Sequence, residues 1–331
     1  MRAVFTTNPG FEDVTAEELE SWGLKVIEIR EGRVEAEAKD LDELAWRLER
    51  SKSVHKAFLL IYEGDVKDLN LSGIESFVTP YTPFAVRAER VGEGPPSPEL
   101  ASLVGDAVVK RVEEVYGLKP KVNLDYPSVV VRAEWYFDRL RVGVELLGEE
   151  SLHRRYYRVV EHMASLKPTI AYSMLKIGGA ERARRLLDPM CGSGTIAIEA
   201  ALSFAVPEIY CFDIKKKYVE GAVANAEVAR VRELIAFGVH DATKVHELVD
   251  EVDLVVTNPP YGIRMGSPEK VLRMYKKFFK SLRNVLRGKL VMITPLVRAK
   301  EEAAAEGFEL LEERDVYHGD LWAKVFVFVN R

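Results

Sequence analysis

Asn258, Pro259, Pro260 and Tyr261 follow one another directly after an apolar run, 252–257, that reads as a buried strand. Two adjacent prolines remove two backbone donors and fix the chain direction, which leaves the carbonyl of Pro259 free to face a ligand. Asn258 adds a side-chain acceptor beside it, and Tyr261 adds a flat aromatic face. Two acceptors side by side match an –NH2 group, whose two N–H bonds they receive together. A ring-conjugated amine is a poor nucleophile because its lone pair is delocalised. Holding both hydrogens favours a pyramidal nitrogen with its lone pair aimed at an incoming electrophile, and no strong base is then required. A proline-rich turn beside a buried tyrosine is the bland alternative, and it is weighed against what lies upstream.

Upstream, Asp188-Pro189-Met190-Cys191-Gly192-Ser193-Gly194-Thr195 leads from a short apolar run into a helical stretch, 196–204. Glycines at a strand-to-helix turn let backbone approach a ligand closely, and the helix N-terminus offers free N–H groups to a carboxylate or phosphate. A next apolar run ends at Asp213, followed by Ile214, about where a carboxylate accepts both hydroxyls of a ribose. That feature is shared with nicotinamide enzymes and does not choose between cofactors. A third run ends at Asp241-Ala242, where a carboxylate or its neighbouring backbone meets an adenine amino group or, on the bland reading, caps a helix.

These residues need a scaffold that brings strand ends together. From 184 onward the chain alternates strands at 186–187, 208–212, 235–239, 253–257 and 289–294 with helical stretches, the pattern of a parallel sheet with helices on both faces. Strands at 308–316 and 323–329 lack a helix between them and are expected as an antiparallel edge hairpin. Residues 1–64 read strand, helix, strand, strand, helix, strand, an α+β unit of the ferredoxin-like kind. Residues 65–150 hold a strand around Arg87, a helix over 98–115 capped by Ser97, and paired strands at 129–135 and 140–146. Residues 151–175 read as a basic connector, and 176–331 as the nucleotide-binding unit.

The chain of 331 residues, 47% hydrophobic and 30% charged, has the composition of a globular protein in water and lacks an apolar run long enough for a membrane span. Its two cysteines, Cys191 and Cys211, allow neither a disulfide framework nor paired metal-ligand spacing, so no metal is expected and a reducing cytoplasm is the default location. A net charge of −5 argues against nucleic acid when taken alone. The distribution reverses this: between Arg264 and Lys300 the sole acidic residue is Glu269, among many lysines and arginines that include Lys276.

Asp188 to Thr195 and Asn258 to Tyr261 resemble the cofactor and catalytic loops of class I amino-methyltransferases. The segments 84–92, 97–99 and 151–155 resemble the THUMP domain and linker of tRNA guanine-N2 methyltransferases, and 162–171, with Leu166-Lys167-Pro168-Thr169, resembles the segment that lies over their cofactor. The resemblance implies a Rossmann-like class I methyltransferase domain, a mostly parallel seven-stranded sheet, preceded by ferredoxin-like and THUMP domains. It implies S-adenosylmethionine as cofactor and tRNA as partner, with no obligate protein partner evident. Asn258, Pro259, Pro260 and Tyr261 would be catalytic. Lys167, Pro168, Thr169, Asp188, Met190, Cys191, Gly192, Ser193, Gly194, Thr195, Asp213, Ile214, Asp241, Ala242 and Asn258 would bind cofactor. Asn-Pro-Pro-Tyr, as opposed to Asp-Pro-Pro-Tyr, is closer to enzymes acting at position 6 of the acceptor stem than at position 10.

A guanine in a paired stem must leave the stack to reach a buried site. Phosphates are expected on Arg87, Arg90, Arg132, Arg154, Arg155, Arg264 and Lys276, which position without specifying. DNA or protein-glutamine amino-methylation, and an RNA-binding module without turnover, remain open. A nicotinamide dehydrogenase is disfavoured, because Gly192-Ser193-Gly194-Thr195 lacks the third glycine spacing.

Overall fold

A computed structural model describes residues 1–147, 151–152, 154–161, 165–262, 267–318 and 321–330. The chain divides into two compact units: residues 1–7 with 16–152, and residues 8–15 with 153–331.

The first unit is built on β1 (Arg2–Thr6), α1 (Glu12–Ser21), β2 (Lys25–Arg30), β3 (Arg33–Glu37), α2 (Leu41–Leu48), β4 (Lys56–Gly64), β5 (Phe84–Val91), α3 (Ser97–Tyr116), β6 (Val129–Tyr136) and β7 (Arg139–Glu145). The opening residues of α1 are counted with the second unit. The strands join in one sheet of seven, ordered β2-β3-β1-β4-β7-β6-β5, antiparallel except for the β5–β6 pair. Helix α3 buries Leu100, Val104, Val108 and Val112, a stripe at four-residue spacing, and ends on Gly117 at φ 69°. Ser97 was expected as its cap, but the cap is Pro96, whose extended backbone already turns the chain, and Ser97 is the first helical residue.

Alternation along these strands also buries charge. Arg141, wholly inaccessible, reaches Glu35 at 2.8 Å and Glu63 at 2.9 Å, and its guanidinium lies 4.6 Å from the centre of the Tyr136 ring. Such a cluster holds only while each charge keeps its partners, since an orphaned buried ion costs several kcal/mol, roughly 3 to 5.

The second unit contains α4 (Pro168–Gly178), β8 (Arg185–Asp188), α5 (Thr195–Ser203), β9 (Glu208–Asp213), α6 (Lys216–Val228), β10 (Ile235–Val239), β11 (Val252–Thr257), α7 (Pro268–Leu282), β12 (Leu286–Thr294), α8 (Ala299–Ala305), β13 (Phe308–His318) and β14 (Leu321–Asn330). Its seven strands run β10-β9-β8-β11-β12-β14-β13, the first five parallel and the last pair antiparallel, as the alternation in the sequence predicts. Successive residues of β8 and β11 enter opposite cores: Leu186, Leu254 and Val256 pack with α4 and α5, whereas Leu187 and Val255 pack with α7 and α8. That double burial explains why these strands read as continuous apolar runs.

Helix α4 lies where the sequence reads as a connector. It buries Ile170, Ala171, Met174, Leu175 and Gly178 among others and leaves only Tyr172, Lys176 and Ile177 half-buried, so little of its surface is polar. Phe11 and Val14, from residues 8–15, sit in the same core, and Asn8 Nδ2 donates to Thr169 Oγ1 at 2.9 Å.

Candidate active site

Strands β9, β8 and β11 are neighbours and parallel, so their carboxyl ends bring Asp213, Asp188 and Asn258 to one edge. A small cleft opens there, and its walls include Asp188, Met190, Gly192, Ser193, Thr195 and Asn258. The glycine turn and the acceptor loop thus border one cavity.

The turn itself depends on missing side chains. Gly192 and Gly194 take φ 53° and 80°, and a Cβ on Gly194 would stand 2.9 Å from that of Ala222 on α6. Helix α5 begins after Gly194 without a side-chain cap, leaving its first N–H groups for a ligand. Cys191 and Cys211 are buried with sulfurs 2.6 Å apart, and burial raises both thiols above their ordinary range, which makes them packing groups rather than nucleophiles.

Asp188 is 1% exposed. Its Oδ1 accepts from Thr257 Oγ1 at 2.9 Å and from the Met190 amide at 3.3 Å, and no cation pairs with it among the described residues. Burial therefore raises its pKa to about 8 despite those two bonds. Asp213 spends one lone pair of each oxygen on the loop: Oδ2 accepts from the Gly192 amide at 3.0 Å and Oδ1 from the Lys215 amide at 2.9 Å. Ile214 is exposed, whereas Asp241 caps the short turn 242–247 through the Thr243 amide and hydroxyl, with Ala242 buried beneath. Lys167 stands at the start of α4, and Pro168 and Thr169 are buried in its first turn. Ser165 and Leu166, both within the segment 162–171 expected over the cofactor, also line the cleft.

S-adenosylmethionine fits this donor set. The open N-terminus of α5 suits its carboxylate, the unpaired Asp188 its ammonium, and the remaining lone pairs of Asp213 its ribose hydroxyls.

In the acceptor loop, Tyr261 Oη donates to Asn258 Oδ1 at 2.6 Å, and Tyr275 Oη donates to the Pro260 carbonyl at 2.8 Å. The Pro259 carbonyl has no hydrogen-bond partner among the described residues. Burial raises the Tyr261 phenol above its ordinary range, so it remains a donor.

Two expected phosphate contacts are corrected. Arg132 is 6% exposed and pairs with Glu89 and Glu145; Arg155 pairs with Glu199, a fully buried carboxylate, at 3.2 Å. Both guanidinia compensate charge inside the protein and are not offered to a ligand. Arg90 and Arg154 are exposed, as is Lys276; Arg87 is half-buried and donates to the Leu124 carbonyl. Arg264 lies outside the described residues. On α7, Lys270, Arg273, Lys276, Lys277 and Lys280 are exposed and form no ion pair among the described residues.

Residues 155–324 match the family described as RMKL-like, methyltransferase domain, and residues 74–145 match the THUMP domain. A Methanocaldococcus jannaschii protein named tRNA (guanine(6)-N2)-methyltransferase is 33% identical, covering 97% of this chain and 98% of its own length. A protein of the same name from Archaeoglobus fulgidus is 35% identical over 99% of this chain and 92% of its own. The crystal structure of TrmN from Thermus thermophilus superposes with a TM-score of 0.78 at 28% identity, covering 100% of this chain and 99% of that one. The fold also matches that of SMU.472, solved in complex with S-adenosylhomocysteine, at a TM-score of 0.84 and 19% identity, covering 100% of this chain and 98% of that one. With its cofactor cleft and acceptor loop in place, the chain belongs to the family of THUMP-domain, S-adenosylmethionine-dependent tRNA (guanine-N2)-methyltransferases.

Proposed function

We propose that this protein methylates the exocyclic N2 of a guanosine in the acceptor stem of tRNA, at position 6, after that base is flipped from the stem. The observation that carries the reading is the Pro259 carbonyl, without a hydrogen-bond partner among the described residues, next in the chain to Asn258, whose Oδ1 is a second acceptor for one –NH2 group. The relatives named for guanine 6 over nearly their whole length support the position. When bound, the cofactor supplies an electrophilic methyl group on a sulfonium. Asn258 and Pro259 hold the two amine hydrogens, which directs the nitrogen lone pair toward the cleft. Tyr261 offers a ring for the flipped base, and unstacking that base costs a few kcal/mol, about 2 to 4. Arg87, Arg90 and Arg154 with the open cations of α7 receive phosphates, and the THUMP portion holds the single-stranded 3′ end as a ruler.

The test incubates unmodified tRNA transcripts with isotopically labelled cofactor and maps the product by mass spectrometry. Label on N2 of guanosine 6 is expected. Label at guanosine 10 would move the target, and label on duplex DNA or a glutamine-bearing peptide, with none on tRNA, would overturn the reading. Replacing Lys276, Lys277 and Lys280 by alanine should flatten the salt dependence of tRNA binding by about one logarithmic unit per lost phosphate contact.

A further inference from the structure

The loop carries more acceptor oxygens than one amine uses. Asn258 Oδ1 and the Pro259 carbonyl are the pair assigned above; another, the Pro260 carbonyl, has the same chemistry and lies one residue away. It is engaged by Tyr275. This tyrosine is fully buried on α7, and its single hydroxyl proton goes to Pro260 at 2.8 Å. Thr294 Oγ1, at the end of β12, lies 3.1 Å from the same phenol oxygen and accepts from the Leu296 amide at 3.2 Å. Because the Tyr275 proton is already committed, the Thr294 hydroxyl donates to it. The three donors form a chain with one polarity, Leu296 to Thr294 to Tyr275 to Pro260, in which each bond strengthens the next.

We infer that Tyr275 is a positioning residue for methyl transfer: it withdraws the Pro260 carbonyl into this chain and so fixes the 260–261 peptide plane, which leads directly into Tyr261 and borders the plane that carries the Pro259 carbonyl. The inference rests on the reading that Pro259 and Asn258 receive the amine. The helix that carries Tyr275 also carries the open cations Lys276 and Lys277, so the surface assigned to phosphate and the acceptor geometry share one rigid element.

The test compares wild type with Tyr275→Phe, which keeps the buried ring, and with Thr294→Val, which removes the second donor. Cofactor Kd and tRNA KM should stay within about twofold, while kcat falls roughly tenfold in Tyr275→Phe and less in Thr294→Val. Thr294→Ser should restore the rate. Amide hydrogen exchange at residues 261 and 262 should accelerate in Tyr275→Phe with or without a substrate present. An unchanged kcat in an active background would overturn the inference, as would a loss confined to KM. If wild type proves inactive on tRNA, the functional reading fails instead, and the exchange measurement alone decides: unaltered exchange in Tyr275→Phe would reject the role of Tyr275.

Discussion

The Tyr261 hydroxyl donates to Asn258 Oδ1 at 2.6 Å, so the aromatic residue assigned to stacking also orients the amide assigned to the amine. An amide oxygen carries two lone pairs, and a phenol that donates to one of them holds the amide group in one orientation. Tyr261→Phe preserves the stacking face but frees the amide to rotate. Its kcat should fall about tenfold with tRNA KM nearly unchanged, whereas Tyr261→Ala should lose both. Steady-state kinetics on a tRNA transcript separate the two, and equal defects in Phe and Ala variants would assign the whole role to the hydroxyl.

Asp188 is expected to couple cofactor binding to protons. Its pKa, raised from an ordinary 3.8 to about 8 by burial without a counter-charge, means that the ligand-free folded protein holds this proton between those values and the unfolded chain does not. Stability contributed by the neutral carboxyl is therefore fully present below the lower value and lost as pH rises through the upper one. A bound ammonium requires the ionised form, so cofactor binding at pH 7 should release about one proton, and affinity should climb with pH up to about 8 and then level. Calorimetry in two buffers of different ionisation enthalpy measures the release. The difference between wild type and Asp188→Asn isolates this group from the cofactor's own amine; identical release in both would reject the assignment.

The strand ends were legible because glycine and proline act through backbone geometry that needs no partner. Gly192 and Gly194 sit at positive φ, and Pro259 and Pro260 strip donors from the loop, whatever surrounds them. Arg132 and Arg155 were not legible, because a guanidinium reads alike whether it meets phosphate or a buried glutamate. Which it meets depends on register across β5, β6 and β7 for Arg132, and for Arg155 on Glu199 of α5, 44 residues away. Helix α4 escaped for a related reason: with only Tyr172, Lys176 and Ile177 partly open to solvent, it has little polar surface to mark its period. Tyr275 and Thr294 meet only when α7 and β12 are folded, so no spacing in the chain announces their bond.

Asn225 joins the connector to the cofactor turn. From α6 its Oδ1 accepts the Val160 amide at 2.9 Å, and its Nδ2 donates to the carbonyls of Val160 at 2.8 Å and Ser193 at 3.0 Å. The side chain is 1% exposed, and a Cβ on nearby Gly221 would stand 2.8 Å from Val160 Cγ1, so the strand of connector lies flat against the helix. Val160 is itself 40% exposed and its backbone finds water when Asn225 is lost, but the Ser193 bond is buried. Asn225→Leu should therefore cost about 1 to 3 kcal/mol of stability, mostly at that carbonyl. Because Ser193 belongs to the turn that lines the cleft, the same variant should weaken cofactor binding roughly tenfold, and the stabilisation that saturating cofactor gives in a thermal melt should shrink accordingly. Asn225→Asp keeps the acceptor for the Val160 amide but sets a carboxylate against two carbonyls, so it should be no better than Leu. A lower melting temperature with an unaltered cofactor Kd would leave Asn225 a purely structural clamp and remove it from the binding site.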